Sequence, residues 1–207
     1  MEDNNQESNE DHIYQIISKQ MLYKESDRGC VLVAVPILDE CLEKVLRNIF
    51  SSEKSVIKKS VNPLFTIFGP LSTFWAKIQL TNALNILPEE VYEDLEVIRD
   101  LRNKFAHQYK PVSFLDPEVI NLAENLLCSK TMSKKIKRYS LKIEGSTDSE
   151  LPHDPIMKEM GFVKYSKALF SYCVASIYRY LEILSLNNYG YLELLIIKKE
   201  FQKIIKA

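Results

Sequence analysis

The stretch Pro88–His107, PEEVYEDLEVIRDLRNKFAH, decides how the rest of the chain is read. It opens with a proline suited to a first helical position. Glu89 and Glu90 follow in the first turn, where the helix dipole favours negative charge. At about 100° per residue, Val91, Leu95, Ile98, Arg102 and Phe105 fall on one stripe. That spacing predicts an amphipathic helix with Arg102 near the middle of its apolar face. A guanidinium leaves water only with partners. Arg102 should therefore pair with a carboxylate or face a cleft. Arg99, Asn103 and His107, at i, i+4 and i+8, lie on a second stripe beside the first. Two readings stay open. In one, Arg102 and Asn103 cap neighbouring helix ends and His107 caps its own C-terminus, where a cation is favoured. In the other, the residues line a polar cleft at a dimer seam, with Arg102 binding an anion and His107 acting as acid or base.

Working outward, the neighbouring segments are also helical in pattern. Upstream, Gly69-Pro70 leads into a helix over about Leu71 to Asn85, with Leu71, Phe74, Trp75 and Ile78 on one side. Asn62-Pro63 breaks the chain before it. A strong pattern covers Asp27 to Phe50, where Leu38, Leu42, Val45, Leu46 and Ile49 recur at three and four. Pro36 inside that run should kink the helix or mark its true start. Asp39, Glu40 and Glu43 flank the apolar face and are candidate partners for Arg99 or Arg102. A shorter pattern spans His12 to Lys24, and residues 1–11 are acidic, polar and expected to be disordered.

Downstream, Pro111 bounds the central helix. Asp116-Pro117-Glu118 caps the next one, which carries Val119, Leu122, Leu126 and Leu127. Residues 130–155 are polar and charged and read as a long loop, in which Tyr139 to Ile143 is compatible with a short strand. Helices then cover about Lys164 to Leu186 and Tyr191 to Lys206, with a break at Asn187 to Gly190. The expectation is an all-α, single-domain bundle of about seven or eight helices over residues 12–207, with the basic loop preceding the C-terminal helices.

Composition narrows the function. Of 207 residues, 46% are hydrophobic and 27% charged, which suits one sizeable core. Five glycines argue against a turn-rich β fold or a phosphate-cradling loop. The net charge of -1 gives no general field toward nucleic acid or membrane. A local exception is the basic loop, where Lys134, Lys135, Lys137 and Arg138 are candidates for phosphate contact, against the plainer reading of a solvated loop. The four cysteines, Cys30, Cys41, Cys128 and Cys173, are widely spaced among apolar residues and read as buried reduced thiols. The three histidines have no partner at ligand spacing, so no metal is expected, and no cofactor motif occurs. The longest apolar run, Cys30 to Leu38, is far short of the roughly 20 residues of a membrane span. No signal or transit peptide pattern is present, and the expected location is the cytoplasm. The tyrosine-rich C-terminal part suits core packing or an interface.

Several blocks together resemble a known family. Phe68-Gly69-Pro70-Leu71-Ser72-Thr73-Phe74, Ala76-Lys77-Ile78, Ala83-Leu84, Tyr92-Glu93-Asp94-Leu95 and Ile98 through His107 are similar, in this order, to the mannitol operon repressor (MltR) family. Asp27-Arg28-Gly29, Ile37 through Leu42, and Ser113-Phe114 with Asp116-Pro117 extend the resemblance, which covers Ile13 to Leu127. It implies an all-helical regulator of transcription with no recognisable DNA-binding module. The absence of a helix-turn-helix pattern in this chain agrees with action through a protein partner. A homodimer is expected. The shorter block Arg102-Asn103-x3-His107 also resembles the HEPN superfamily. That resemblance implies the alternative of a metal-independent ribonuclease of a toxin–antitoxin or defence system. Arg102, Asn103 and His107 would then be catalytic, His107 moving a proton and Arg102 stabilising phosphorane-like charge. A third reading is a sequence-independent nucleic-acid binder using the basic loop.

Overall fold

Asp27 starts the first helix among the described residues of the computed structural model, α1 (Asp27–Phe50), and ties it to distant parts of the chain. Its carboxylate accepts from Ser113 Oγ at 2.8 Å and from the Phe114 amide at 3.2 Å, and stands 3.5 Å from the Lys167 ammonium. One side chain thus joins three distant segments. Beside it, Arg28 donates to the Ala106 carbonyl at 3.0 Å. The described residues are 24–50, 59–129, 165–186 and 191–206, and all their regular elements are helical. After α1 come a single 3-10 turn (Asn62–Phe65), α2 (Phe74–Ala83), α3 (Glu89–His107), α4 (Pro117–Glu124), α5 (Tyr165–Leu186) and α6 (Tyr191–Lys206). The expected acidic N-terminus (1–11), most of the helix at 12–24, the basic loop at 130–155 and the break at 187–190 lie outside the described residues. So do Lys134, Lys135, Lys137 and Arg138.

α1 and α5 form the centre of the bundle. α1 packs on α5, α3 and α2, and α5 packs also on α4 and α6. The core they share includes Leu38, Leu42, Leu95, Phe170, Val174 and Leu181. Burial of one such side chain stabilises the fold by about 1.5–3 kcal/mol. Pro36 is not where α1 begins. The helix runs through it, although a proline in a helix interior costs about 3 kcal/mol. Pro36 is exposed, while its flanking residues Val35 and Leu38 are buried, so packing on either side offsets the missing hydrogen bond.

The helix ends follow from side chains that compete for backbone groups. Thr73 caps α2 by accepting from the Ala76 amide at 3.1 Å. α4 stops at Glu124, short of the expected Leu126 and Leu127. The reason lies on α3: Asp94 accepts from the amides of Leu127 and Cys128, each at 2.7 Å, and draws this segment out of helical geometry. Pro88 stands one residue before α3, with Glu89 and Glu90 in the first turn as expected.

Two of the C-terminal tyrosines, Tyr172 and Tyr180, belong to the core. Tyr180 donates to the Ile86 carbonyl at 2.6 Å and its ring lies 4.5 Å from that of Phe201, which holds α6 on α5. Cys30, Cys41 and Cys173 are buried free thiols, and Cys128 is a half-buried one. Burial pushes Cys30 up to about 12 and Cys41 up to about 11, so both remain protonated at neutral pH.

Candidate functional site

A cleft of about 510 Å³ opens between α1, the start of α2 and α3. Val35, Pro36 and Asp39 come from α1; Ser72, Thr73, Phe74 and Trp75 from the start of α2; Arg99, Arg102 and Asn103 from α3. Four of the predicted polar residues, Arg99, Arg102, Asn103 and Asp39, therefore meet in one place. Glu40 and His107 are not among the lining residues. Glu40 is exposed and pairs with Lys44 at 2.8 Å along α1. His107 is exposed in the last turn of α3.

Arg102 is half-buried and flanks the apolar face rather than centring it. The face of α3 that is buried consists of Val91, Asp94, Leu95, Ile98, Leu101 and Phe105. Asp94 and Leu101 shift its centre away from Arg102. The guanidinium donates to Asn103 Oδ1 at 3.1 Å, and no carboxylate among the described residues lies within ion-pair distance of it. Arg99 is held differently. Its guanidinium stacks over the Trp75 ring at 3.9 Å and pairs with Asp100 at 2.9 Å.

The acids of α1 were candidate partners for these arginines, and the structure gives them another cation. Asp39 binds Lys77 of α2 through both oxygens, at 3.0 and 2.9 Å, and Glu43 binds the same ammonium at 3.0 Å. Lys77 is 3% exposed, so two carboxylates are what let it leave water. Arg47 adds to Glu43 at 2.8 Å and stacks on Phe65 at 4.3 Å. Burial alone would raise the Glu43 carboxyl. The hydrogen bonds from Lys77 and Arg47 outweigh it and hold the group below its ordinary range. At the C-terminal end of α3, where His107 was the expected cap, the Ala106 carbonyl accepts from Arg28, while Arg102 donates to its neighbour Asn103.

A second buried charge was not anticipated at all. Asp94 is 1% exposed and accepts from two amides and from Cys173 Sγ at 3.2 Å. Burial pushes its carboxyl up, although the amide hydrogen bonds pull it down. The signal was present: Asp94 occupies a position three residues after Val91 and one before Leu95, inside the apolar periodicity. Lys77 likewise precedes Ile78 and sits four residues before the buried Thr81.

Beside the cleft, residues 66–72 make a tight turn. Gly69 donates to the Thr66 carbonyl at 2.8 Å, Ser72 to the Gly69 carbonyl at 3.1 Å, and Leu71 to the Leu64 carbonyl at 2.8 Å. A Cβ on Gly69 would stand 2.3 Å from the Leu64 oxygen, so the turn requires glycine. It presents Ile67, 82% exposed, and Phe68, 96% exposed.

This fold and these blocks agree with one family. A family profile described as mannitol repressor matches residues 9–185. The chain belongs to the mannitol repressor family. The mannitol operon repressors of Escherichia coli strain K12 and of Escherichia coli O6:H1 are each 27% identical to it over 101 residues. Those alignments cover 49% of this chain and 52% of each relative, so the chain spans about half the length of the curated relatives it matches. Among solved structures, MtlR in the MtlR–HPr complex from Escherichia coli superposes with a TM-score of 0.58 at 21% identity, covering 86% of this chain and 98% of that one. A protein described as a possible transcriptional regulator, YggD from Shigella flexneri, gives 0.61 at 16% identity, covering 83% and 98%. At these identities the likeness is one of fold. Within this chain, hydrogen bonds of Asp27-Arg28 and Ser113-Phe114 tie helix ends together, and Gly69 shapes the turn before α2.

Proposed function

We propose that this protein is a regulator of the mannitol-repressor type that acts by binding a protein partner, and that an HPr protein is that partner. The observation that carries the reading is family membership, together with a fold shared along nearly the whole MtlR chain of the MtlR–HPr complex. Regulation of transcription through a partner also suits a chain of net charge -1 that has no helix-turn-helix pattern. The reading includes a homodimer, which light scattering would weigh directly.

For the contact itself we propose the turn at Ile67 and Phe68. Large apolar side chains held out by a rigid backbone lose little entropy on binding and make good anchors. The test is calorimetric titration of the purified chain with HPr from the same organism. A complex with a Kd of about 10 µM or tighter is expected, weakened at least tenfold by Phe68→Ala. Absence of binding with both proteins at roughly 100 µM would remove HPr as the partner.

A further inference from the structure

We propose that the cleft between α1, the start of α2 and α3 is a binding site for a small organic phosphate, whose phosphate is held by Arg102 and the start of α2. The inference stands apart from the partner reading, since it concerns a concave site rather than an exposed turn. Arg102 supplies the first argument. Its guanidinium reaches the cleft wall with a neutral amide oxygen as its hydrogen-bond partner. A half-buried arginine with unused donors is poised for a planar, two-point contact with an oxyanion.

The second argument comes from α2, which enters the same cleft by its N-terminus. The amides of Phe74 and Trp75 precede any intrahelical acceptor, while Thr73 Oγ1 satisfies the Ala76 amide. Those two donors and the hydroxyls of Ser72 and Thr73 lie at the positive end of the helix dipole. Guanidinium from one helix and amide and hydroxyl donors from another give more donors than a two-oxygen carboxylate uses. A three-oxygen phosphate head matches them better.

The third argument is charge. Asp39 is the carboxylate on the cleft wall, and both its oxygens are held by Lys77. Arg99 is balanced by Asp100, so the charge of Arg102 is the surplus. The remaining wall is carbon: Val35, Pro36, Phe74 and the Trp75 ring under Arg99. It covers the body of a ligand, while Asn103 offers hydrogen bonds to hydroxyl groups. A volume of about 510 Å³ admits a phosphorylated metabolite and excludes a folded macromolecule.

The probes are inorganic phosphate, glucose 6-phosphate, glucose and citrate, titrated into the full chain at constant ionic strength, so that general screening is the same throughout. Glucose 6-phosphate is expected to bind with a Kd on the order of 1 mM or tighter. At about ten times that concentration it should raise Tm by about 3–5 °C. Inorganic phosphate should bind more weakly, and glucose not at all. Arg102→Gln should weaken glucose 6-phosphate at least tenfold with an unchanged far-UV spectrum. Arg102→Lys retains the charge without the two-point geometry and should fall between them. Three results would overturn the proposal: no saturable binding of either phosphate at roughly 10 mM, equal binding by wild type and Arg102→Gln, or citrate binding as tightly as glucose 6-phosphate.

Discussion

Replacing Asp94 by alanine tests whether one buried carboxylate holds the link after α4 against α3. The side chain is 1% exposed and accepts from the Leu127 and Cys128 amides at 2.7 Å each and from Cys173 Sγ at 3.2 Å. Truncation leaves two half-buried amides without an acceptor, at about 1–3 kcal/mol each, partly relieved by water. A loss of about 3–5 kcal/mol is expected, a large part of a typical stability of about 5–15 kcal/mol. For a chain of this size each kcal/mol moves Tm by roughly 2–4 °C, so the drop should be about 6–20 °C by calorimetry. Asp94→Asn retains one acceptor and should lose about half as much. Its pH dependence adds a check on sign. Burial raises the Asp94 carboxyl in the folded state, so its contribution is largest below the unfolded value and declines as pH rises through the folded one. The gap between wild type and Asp94→Asn should therefore narrow from pH 4 to pH 8. An Asp94→Ala protein melting within about 2 °C of wild type would refute the reasoning, because the two amides would then have found other partners.

Three further outcomes follow from the same geometry. Lys77→Met should lower stability in urea by about 1–3 kcal/mol, since Asp39 and Glu43 lose their shared cation but keep partial access to water. Gly69→Ala forces a Cβ against the Leu64 carbonyl and should cost about 1–3 kcal/mol, read as a lower urea midpoint. Glu43 is held below its ordinary 4.5 in the fold, so it contributes stability at neutral pH that is lost as pH falls through its folded value. Glu43→Gln should accordingly melt below wild type at pH 7 and level with it once both are below that value.

The tests separate two surfaces that lie close together. Phe68 lies on the turn that leads into α2, and Arg102 lines the cleft that α2 enters. A ligand ordering the start of α2 would therefore act on the residues that carry the turn. Measuring HPr affinity with and without glucose 6-phosphate would read any coupling between them, which linkage requires to be equal in both directions.

By itself the sequence determined the helices and the family. Periodicity at three and four placed α1 and α3, because a bundle must bury one stripe of each helix and leaves that stripe in the sequence. Prolines and acids marked the start of α3 for an equally local reason. The sequence also brought Arg99, Arg102, Asn103, His107, Asp39 and Glu40 forward as cleft candidates, since polar groups beside an apolar stripe need an explanation; His107 and Glu40 are not among the lining residues. Only the tertiary structure decided the partners. Asp39 and Glu43 went to Lys77 on α2, not to an arginine of α3, and Asp94 turned inward to end α4. Sequence spacing reports neighbours on one helix, whereas an ion pair across helices depends on how α1, α2 and α3 cross. That crossing is set by the whole core, and no local pattern contains it. It also left Arg102 beside the buried face, with its guanidinium at the wall of a cleft.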